Sequence, residues 1–168
     1  MTDGDSAFWR FSLRFYARAE IPPLCIALQD EQGIDVNLLF FILFLSLHQR
    51  KVTTDEVRHI DAAIQDWRAN VVQPLRVLRR NLKGGFAPAQ AAADAETLRS
   101  AIKRDELAAE RIQQETLERE FPAQSTGTVA EPREAAAANI AAYGAVTTPF
   151  PAAAVATLLS ALTDEFSI

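Results

Sequence analysis

The strongest periodic signal in the chain lies between the capping pair Thr53/Glu56 and Gly84. Large apolar residues fall at Val57, Ile60, Ile64, Trp67, Val71, Leu75, Leu78 and Leu82, in steps of three and four that mark one face of an α-helix. The pattern keeps its phase across Pro74, a residue that removes a backbone donor and crowds the carbonyl four positions back. No Gly, Asn or Ser adjoins Pro74 to make a turn. The spacing therefore predicts one kinked helix over 54–83, with the Asn70 carbonyl short of its usual donor. The opposite face is basic, with Arg58, Arg68, Arg76, Arg79, Arg80 and Lys83. Asp55 and Glu56 at the start and the cations at the end both suit the helix dipole.

Upstream, residues 8–19 are apolar nearly all round. Phe8, Phe11 and Phe15 lie on one side and Trp9, Leu13 and Tyr16 on another, and Arg10, Arg14 and Arg18 form the polar stripe. Pro22 and Pro23 open a second helix, where a missing N–H costs nothing, and Gly33 ends it. Asp35 is placed to N-cap a third helix, Val36 to Gln49, with Leu and Phe on every face. Such a helix needs neighbours all around it, and helices one, two and four are the available walls. Downstream of Gly84-Gly85, Pro88 reopens a helix that reaches Glu120. Its Ile102, Leu107, Ile112 and Leu117 step by five, winding around the helix instead of forming a stripe. The predicted fold is all-α: a helical bundle of four core helices, a long, mostly solvated helix and an Ala-rich helical tail. The organisation read from it is a disordered 1–7, a bundle domain with the long helix over 8–120, a linker over 121–132 and an Ala/Pro-rich tail over 133–168.

Composition narrows the class. At 168 residues the chain can bury a real core without disulfides or metal. Its single cysteine, Cys25, sits among Leu24, Ile26, Ala27 and Leu28, the setting of a buried structural thiol. Met1 to Ser6 lacks the basic-then-apolar order of a secretion signal, so a cytoplasmic location is expected. The apolar run Leu38 to Leu45 falls far short of the ~20 residues that span a bilayer. Residues 1–83 carry eleven Lys/Arg against ten Asp/Glu and residues 84–168 carry six against twelve, giving the net −5. An acidic carboxyl half disfavours nucleic acid as a partner, because phosphate contacts need a local excess of cations.

Several runs together carry a resemblance. They are Phe8-Trp9-Arg10-Phe11-Ser12 with Tyr16, Cys25-Ile26-Ala27-Leu28-Gln29-Asp30, Gly33, and Asp35-Val36-Asn37-Leu38-Leu39. Trp67-Arg68, Pro74-Leu75-Arg76, Arg79-Arg80 and Glu106-Leu107-Ala108-Ala109-Glu110-Arg111 complete the set. The chain resembles, over residues 8–120, a small proteobacterial family of unknown function. The resemblance implies a helical fold and a bacterial origin. It implies no activity and transfers no catalytic residue.

Two constellations could carry chemistry. Asp30, Glu31 and Asp35 place three carboxylates within six residues, a set that can hold a hard cation such as Mg²⁺. Diphosphate-binding helical enzymes pair two such clusters, and this chain has one. Helix ending at Gly33 and capping by Asp35 account for most of it. Asp30 and Glu31 nevertheless fall in a helix's last turn, where the dipole disfavours anions. Cationic partners are therefore expected from Arg68, Arg76, Arg79 or Arg80, in an ion-pair network that could also cradle a small anion. Glu56-x-x-His59 has the spacing of carboxylate-bridged di-iron bundles, but His48 has Leu45 three residues before it, so the second motif is missing. No Gly-rich phosphate loop, Cys/His zinc spacing or G-x-S-x-G elbow occurs. No catalytic residue, metal or cofactor is assigned.

Two functional readings follow. The leading one is a non-enzymatic cytoplasmic helical interaction or adaptor protein, meeting an unknown protein partner through the helix after Pro88 or the arginine face, with self-association left open. The alternative is a protein or enzyme binding a small anion or Mg-diphosphate in a pocket between the Asp30/Glu31 turn and Arg68, Arg76, Arg79 and Arg80, with Asp35 beside it.

Overall fold

The computed structural model describes residues 6–83 and 91–168. The Gly84-Gly85 stop, the Pro88 start and most of the stretch expected to be disordered lie outside the described residues. Helix α1 (Ala7–Tyr16) is opened by Ser6, whose hydroxyl accepts from the Trp9 N–H. Helix α2 (Ile21–Gln32) carries proline in its first turn and ends at Gly33, at φ +67°, a conformation glycine adopts without steric cost. Asp35 caps α3 (Val36–Leu47) through the N–H groups of Asn37 and Leu38. Strand β1 (Arg50–Lys51) precedes α4, which spans 54–83 and starts at a Thr53/Glu56 capping box. Then come α5 (Ala92–Glu120), β2 (Thr128–Val129), α6 (Pro132–Val146) and α7 (Ala152–Phe166). The fold is all-α, its only sheet among the described residues being the antiparallel pair β1/β2, with Arg50 opposite Val129. Gly127 permits that pairing, since a Cβ there would lie 2.5 Å from the Lys51 carbonyl oxygen.

Helix α3 is the axis of the core, buried continuously from Asn37 to Ser46. Its chief walls are α6, α5 and α1, not the expected trio of helices one, two and four. The tail helices are part of the core: Ile140 and Tyr143 of α6 and Leu158 and Leu162 of α7 are buried in the same cluster as Phe8, Phe15 and Phe41. The Ala-rich sequence explains the close approach. Ala135 and Ala136 are fully buried, and methyl side chains let the backbone of α6 come near α3. Asn139 then fastens α6 to the 42–52 segment, donating to the Ile42 and Arg50 carbonyls and accepting from the Val52 N–H.

Helix α4 is continuous past Pro74, as expected, but accommodates the proline by a π turn. Residues Arg68–Val72 form that turn between the α-helical segments Thr54–Trp67 and Gln73–Lys83. A π turn absorbs one extra residue and moves backbone carbonyls away from the proline ring. One extra residue also rotates the following segment by about 100° relative to the unbroken pattern. Val72 is buried where the periodicity selects Val71, Leu78 is exposed, and Arg76 and Arg79 turn toward α5. Of the basic face read there, Arg76 and Arg79 are half-buried while Arg80 and Lys83 stay exposed.

Helix α5 departs from its reading in the same way. It buries Ile102, Glu106, Ala109, Gln113, Gln114 and Leu117, a stripe in steps of mostly three and four. Three of those six residues are polar, so apolar periodicity misses the stripe, while Leu98, Leu107 and Ile112 remain exposed. The first turns of α5 are solvated as expected, but from Ile102 onward a buried stripe packs it against α4, α1 and α3.

Candidate functional site

Asp35 sits at the centre of a polar cluster where α2 ends and α3 begins. Capping α3 commits its Oδ1, which accepts from the Asn37 N–H at 2.8 Å and the Leu38 N–H at 3.3 Å. Oδ2 is left to face α4 and α5, and it accepts from Arg68 Nη1 at 3.0 Å and Gln113 Nε2 at 2.7 Å. The Asp35 N–H donates to the hydroxyl of Tyr143, on α6, at 3.0 Å. Through its carboxylate and its backbone N–H, this one residue ties together four helices. Arg68, at the start of the π turn, also reaches Asp61 at 2.6 Å. Burial works against its charge, and Asp61 and Asp35 outweigh that cost, holding the guanidinium above its ordinary value. Beside this hub, Gln114 donates to Asn37 Oδ1 at 2.7 Å.

A second cluster fastens the last part of α4 to α5. Glu106 accepts from Arg76 at 3.0 Å and from Arg79, while Arg76 also reaches Glu110 at 2.5 Å. Burial alone would raise the Glu106 carboxyl, but the hydrogen bonds from Arg79 and Arg76 prevail and hold it below the usual carboxylate range. Glu110 goes the other way: burial raises it, with the Arg76 charge offsetting only part. Two neighbouring carboxylates with opposed shifts are a recurrent feature of functional sites and of structural ion-pair networks alike. Just below, the Trp67 indole donates to the Ala109 carbonyl at 3.0 Å.

Between the two clusters lies a cavity of about 70 Å³, walled by Gln29, Asp35, Arg68, Arg76 and Gln113 among others. Both ends of the π turn contribute, through Arg68 and Val72. Gln113 is 1% exposed, and its Oε1 has no hydrogen-bond partner; nor has Gln29 Nε2. The seven candidate residues separate here. Asp35, Arg68 and Arg76 line the cavity. Asp30 pairs instead with Arg80 at 2.7 Å on the surface, Arg79 is engaged by Glu106, and Glu31 is exposed. The motif pair Glu56/His59 lies elsewhere: Glu56 completes the capping box and His59 is an exposed residue edge-on to Phe121.

Sequence reasoning missed Glu106, Glu110, Gln113, Asn37 and Tyr143 as partners. A signal for the first three existed. Glu106, Glu110 and Gln113 fall in steps of four and three, so polar periodicity on α5 marks the face that apolar periodicity leaves unassigned. Nothing local could bring Tyr143 to Asp35, 108 residues away.

The segments that carry the resemblance noted from the sequence meet at these two clusters: 29–37 from α2 and α3, 67–80 from α4 and 106–111 from α5. Comparison with curated proteins and with solved structures finds no match. A family model does match, covering residues 7–117 and hence α1 to nearly the end of α5 but neither tail helix. The chain belongs to that family, described as "Protein of unknown function (DUF2390)".

Proposed function

We propose that this chain is a non-enzymatic helical interaction protein of the cytoplasm, and that it grips a protein partner with the hairpin formed by the last part of α4 and the first turns of α5. One observation carries the reading. The segment Gln73–Lys83 has no buried residue, yet it displays Val77 and Leu78, 57% and 47% exposed, with Leu98 of α5 also half-exposed. Large apolar side chains on a segment outside the core are costly to leave in water and are typical of contact surfaces. Arg76 and Arg79 turn inward to Glu106 and Glu110, whereas Arg80, in an exposed pair with Asp30, and Lys83 stay at the surface of the segment, so the partner it suits is apolar with an acidic rim. Among the described residues no helix is long and apolar enough to cross a membrane.

The test uses the full chain and its Val77→Asp/Leu78→Asp variant as baits in extract of the native host, followed by calorimetry with the purified protein recovered. Both sites are exposed, so the unfolding midpoint should move little. The reading expects a protein held by the original chain and lost by the variant, with affinity that falls as salt rises. Identical retention by both baits refutes it. Concentration-dependent sedimentation that the variant abolishes would make the partner a second copy of this chain.

A further inference from the structure

The cavity at the π turn has a chemistry of its own, and neither Val77 nor Leu78 of the proposed contact surface walls it. Its charged walls are Arg68, Arg76 and Asp35. Arg68 and Arg76 are eight positions apart, a spacing that in an unbroken α-helix would turn them about 80° from each other. The extra residue of the π turn gives them the relation of residues seven apart, about two turns along the helix and within about 20° of one face. Both side chains therefore wall one cavity, and each has a nitrogen to spare. Arg68 meets Asp35 and Asp61 through Nη1, leaving Nη2 without a partner among the described residues. Arg76 meets Glu106 and Glu110 through Nε and Nη2, leaving Nη1. Both spare nitrogens keep accessible surface, unlike the enclosed amide atoms of Gln113 and Gln29.

Charge and size narrow the occupant. The Asp35 side chain is 7% exposed and its carboxylate accepts four hydrogen bonds, so it offers the cavity little of its charge. Asp61, Glu106 and Glu110 pair with the guanidiniums but do not wall the cavity. The walls thus hold a surplus of one cation, which suits a monoanion. A dianion would bring a second negative charge up to the carboxylates behind the arginines. Two N–H groups from separate guanidiniums match the two oxygens of a carboxylate, in charge-assisted bonds stronger than neutral ones. A volume of about 70 Å³ corresponds to about five waters at the ~10–15 Å³ each requires, enough for a carboxylate on a short chain. We propose that this cavity binds a small monocarboxylic acid as its anion. One oxygen accepts from Arg68 Nη2 and the other from Arg76 Nη1, and the short chain lies against Ile34 and Val72 of the wall.

The test titrates acetate into the full chain labelled with ¹⁵N, at neutral pH and at ionic strength held constant with chloride. It follows the backbone amides of Gly33, Ile34, Val72 and Gln73 in the cavity wall. Saturable shifts at millimolar acetate are expected. Acetamide has the shape without the charge and methylammonium the opposite charge, so each should bind at least about tenfold more weakly. Sulfate, a dianion, should bind no tighter than acetate. Gln73 is exposed and lines the cavity, so changing its charge leaves the packing alone. Gln73→Glu should weaken acetate binding and Gln73→Lys strengthen it, each by about two- to fivefold. Arg76→Gln should lower the affinity at least about tenfold, and the opposed Gln73 variants decide the matter if it fails to fold. Absence of a saturable shift, equal binding of acetamide or methylammonium, tighter binding of sulfate, or Gln73 variants that leave acetate binding unchanged would each overturn the proposal.

Discussion

Replacing Glu106 by Gln tests whether buried ion pairs, not apolar packing, hold the hairpin of α4 and α5 together. The side chain of Glu106 is 7% exposed and serves both Arg76 and Arg79, whose side chains are 20% and 24% exposed. Removing one partner from a buried pair costs about 3–5 kcal/mol, because the charge left behind stays desolvated. Here both arginines can turn partly toward water and Arg76 keeps Glu110, which places the expectation near 3 kcal/mol. The segment 73–83 has no buried residue to compensate. Native-state hydrogen exchange should therefore show protection lost across 73–83 and retained in α3. Asp30→Ala is the internal control. Its pair with Arg80 is 44% and 46% exposed, so its loss should cost about 1 kcal/mol or less. The pH dependence has a definite sign. Because the folded Glu106 lies below its ordinary 4.5, its contribution is fully present above that pH and is lost as pH falls through the depressed value. Glu110 is raised, so its contribution has the opposite sign: present below the ordinary value and lost as pH rises through the raised one. After correction for intrinsic exchange rates, acid should loosen the hairpin in the original chain and do so less in Glu106→Gln. A loss under about 1 kcal/mol, with protection of 73–83 unchanged, would refute the argument and assign the hairpin to Leu75, Leu82 and helix propensity instead.

Two other substitutions probe parts of the fold away from the hairpin. Asn139→Ala strands the Val52 N–H and the Ile42 and Arg50 carbonyls inside the protein; it should cost about 2–4 kcal/mol in urea unfolding monitored by circular dichroism. A cost below about 1 kcal/mol would mean that water replaces the amide at no penalty. Cys25 is 2% exposed and burial pushes its thiol up to about 12, so a thiol reagent at pH 8 should react at the rate of global unfolding; rapid stoichiometric reaction with native protein would contradict its burial.

Sequence alone determined the features that depend on neighbouring residues. Several helix ends were legible because caps are local chemistry: Asp or Thr beside a free N–H, proline in a first turn, glycine where φ is positive. The burial of α3 was legible because a helix of Leu and Phe on every face has no solvent side. The continuity of α4 through Pro74 was legible from an apolar pattern that never broke. Tertiary structure decided the rest. The π turn is a choice between a kink and an extra residue, and that choice set which face of 73–83 carries its arginines inward to Glu106. The buried stripe of α5 was missed because half of it is polar: Glu106, Gln113 and Gln114 are interior only because Arg76, Arg79, Asp35 and Asn37 stand opposite, and a partner on another helix leaves no mark on the local pattern. Asp35 was visible as an N-cap, since two of its bonds reach residues two and three positions on. Its remaining bonds, to Arg68, Gln113 and Tyr143, span 33, 78 and 108 residues. Pairings at such separations depend on how the whole chain packs, which is why the cavity beside Asp35 belongs to the fold and not to any segment of it.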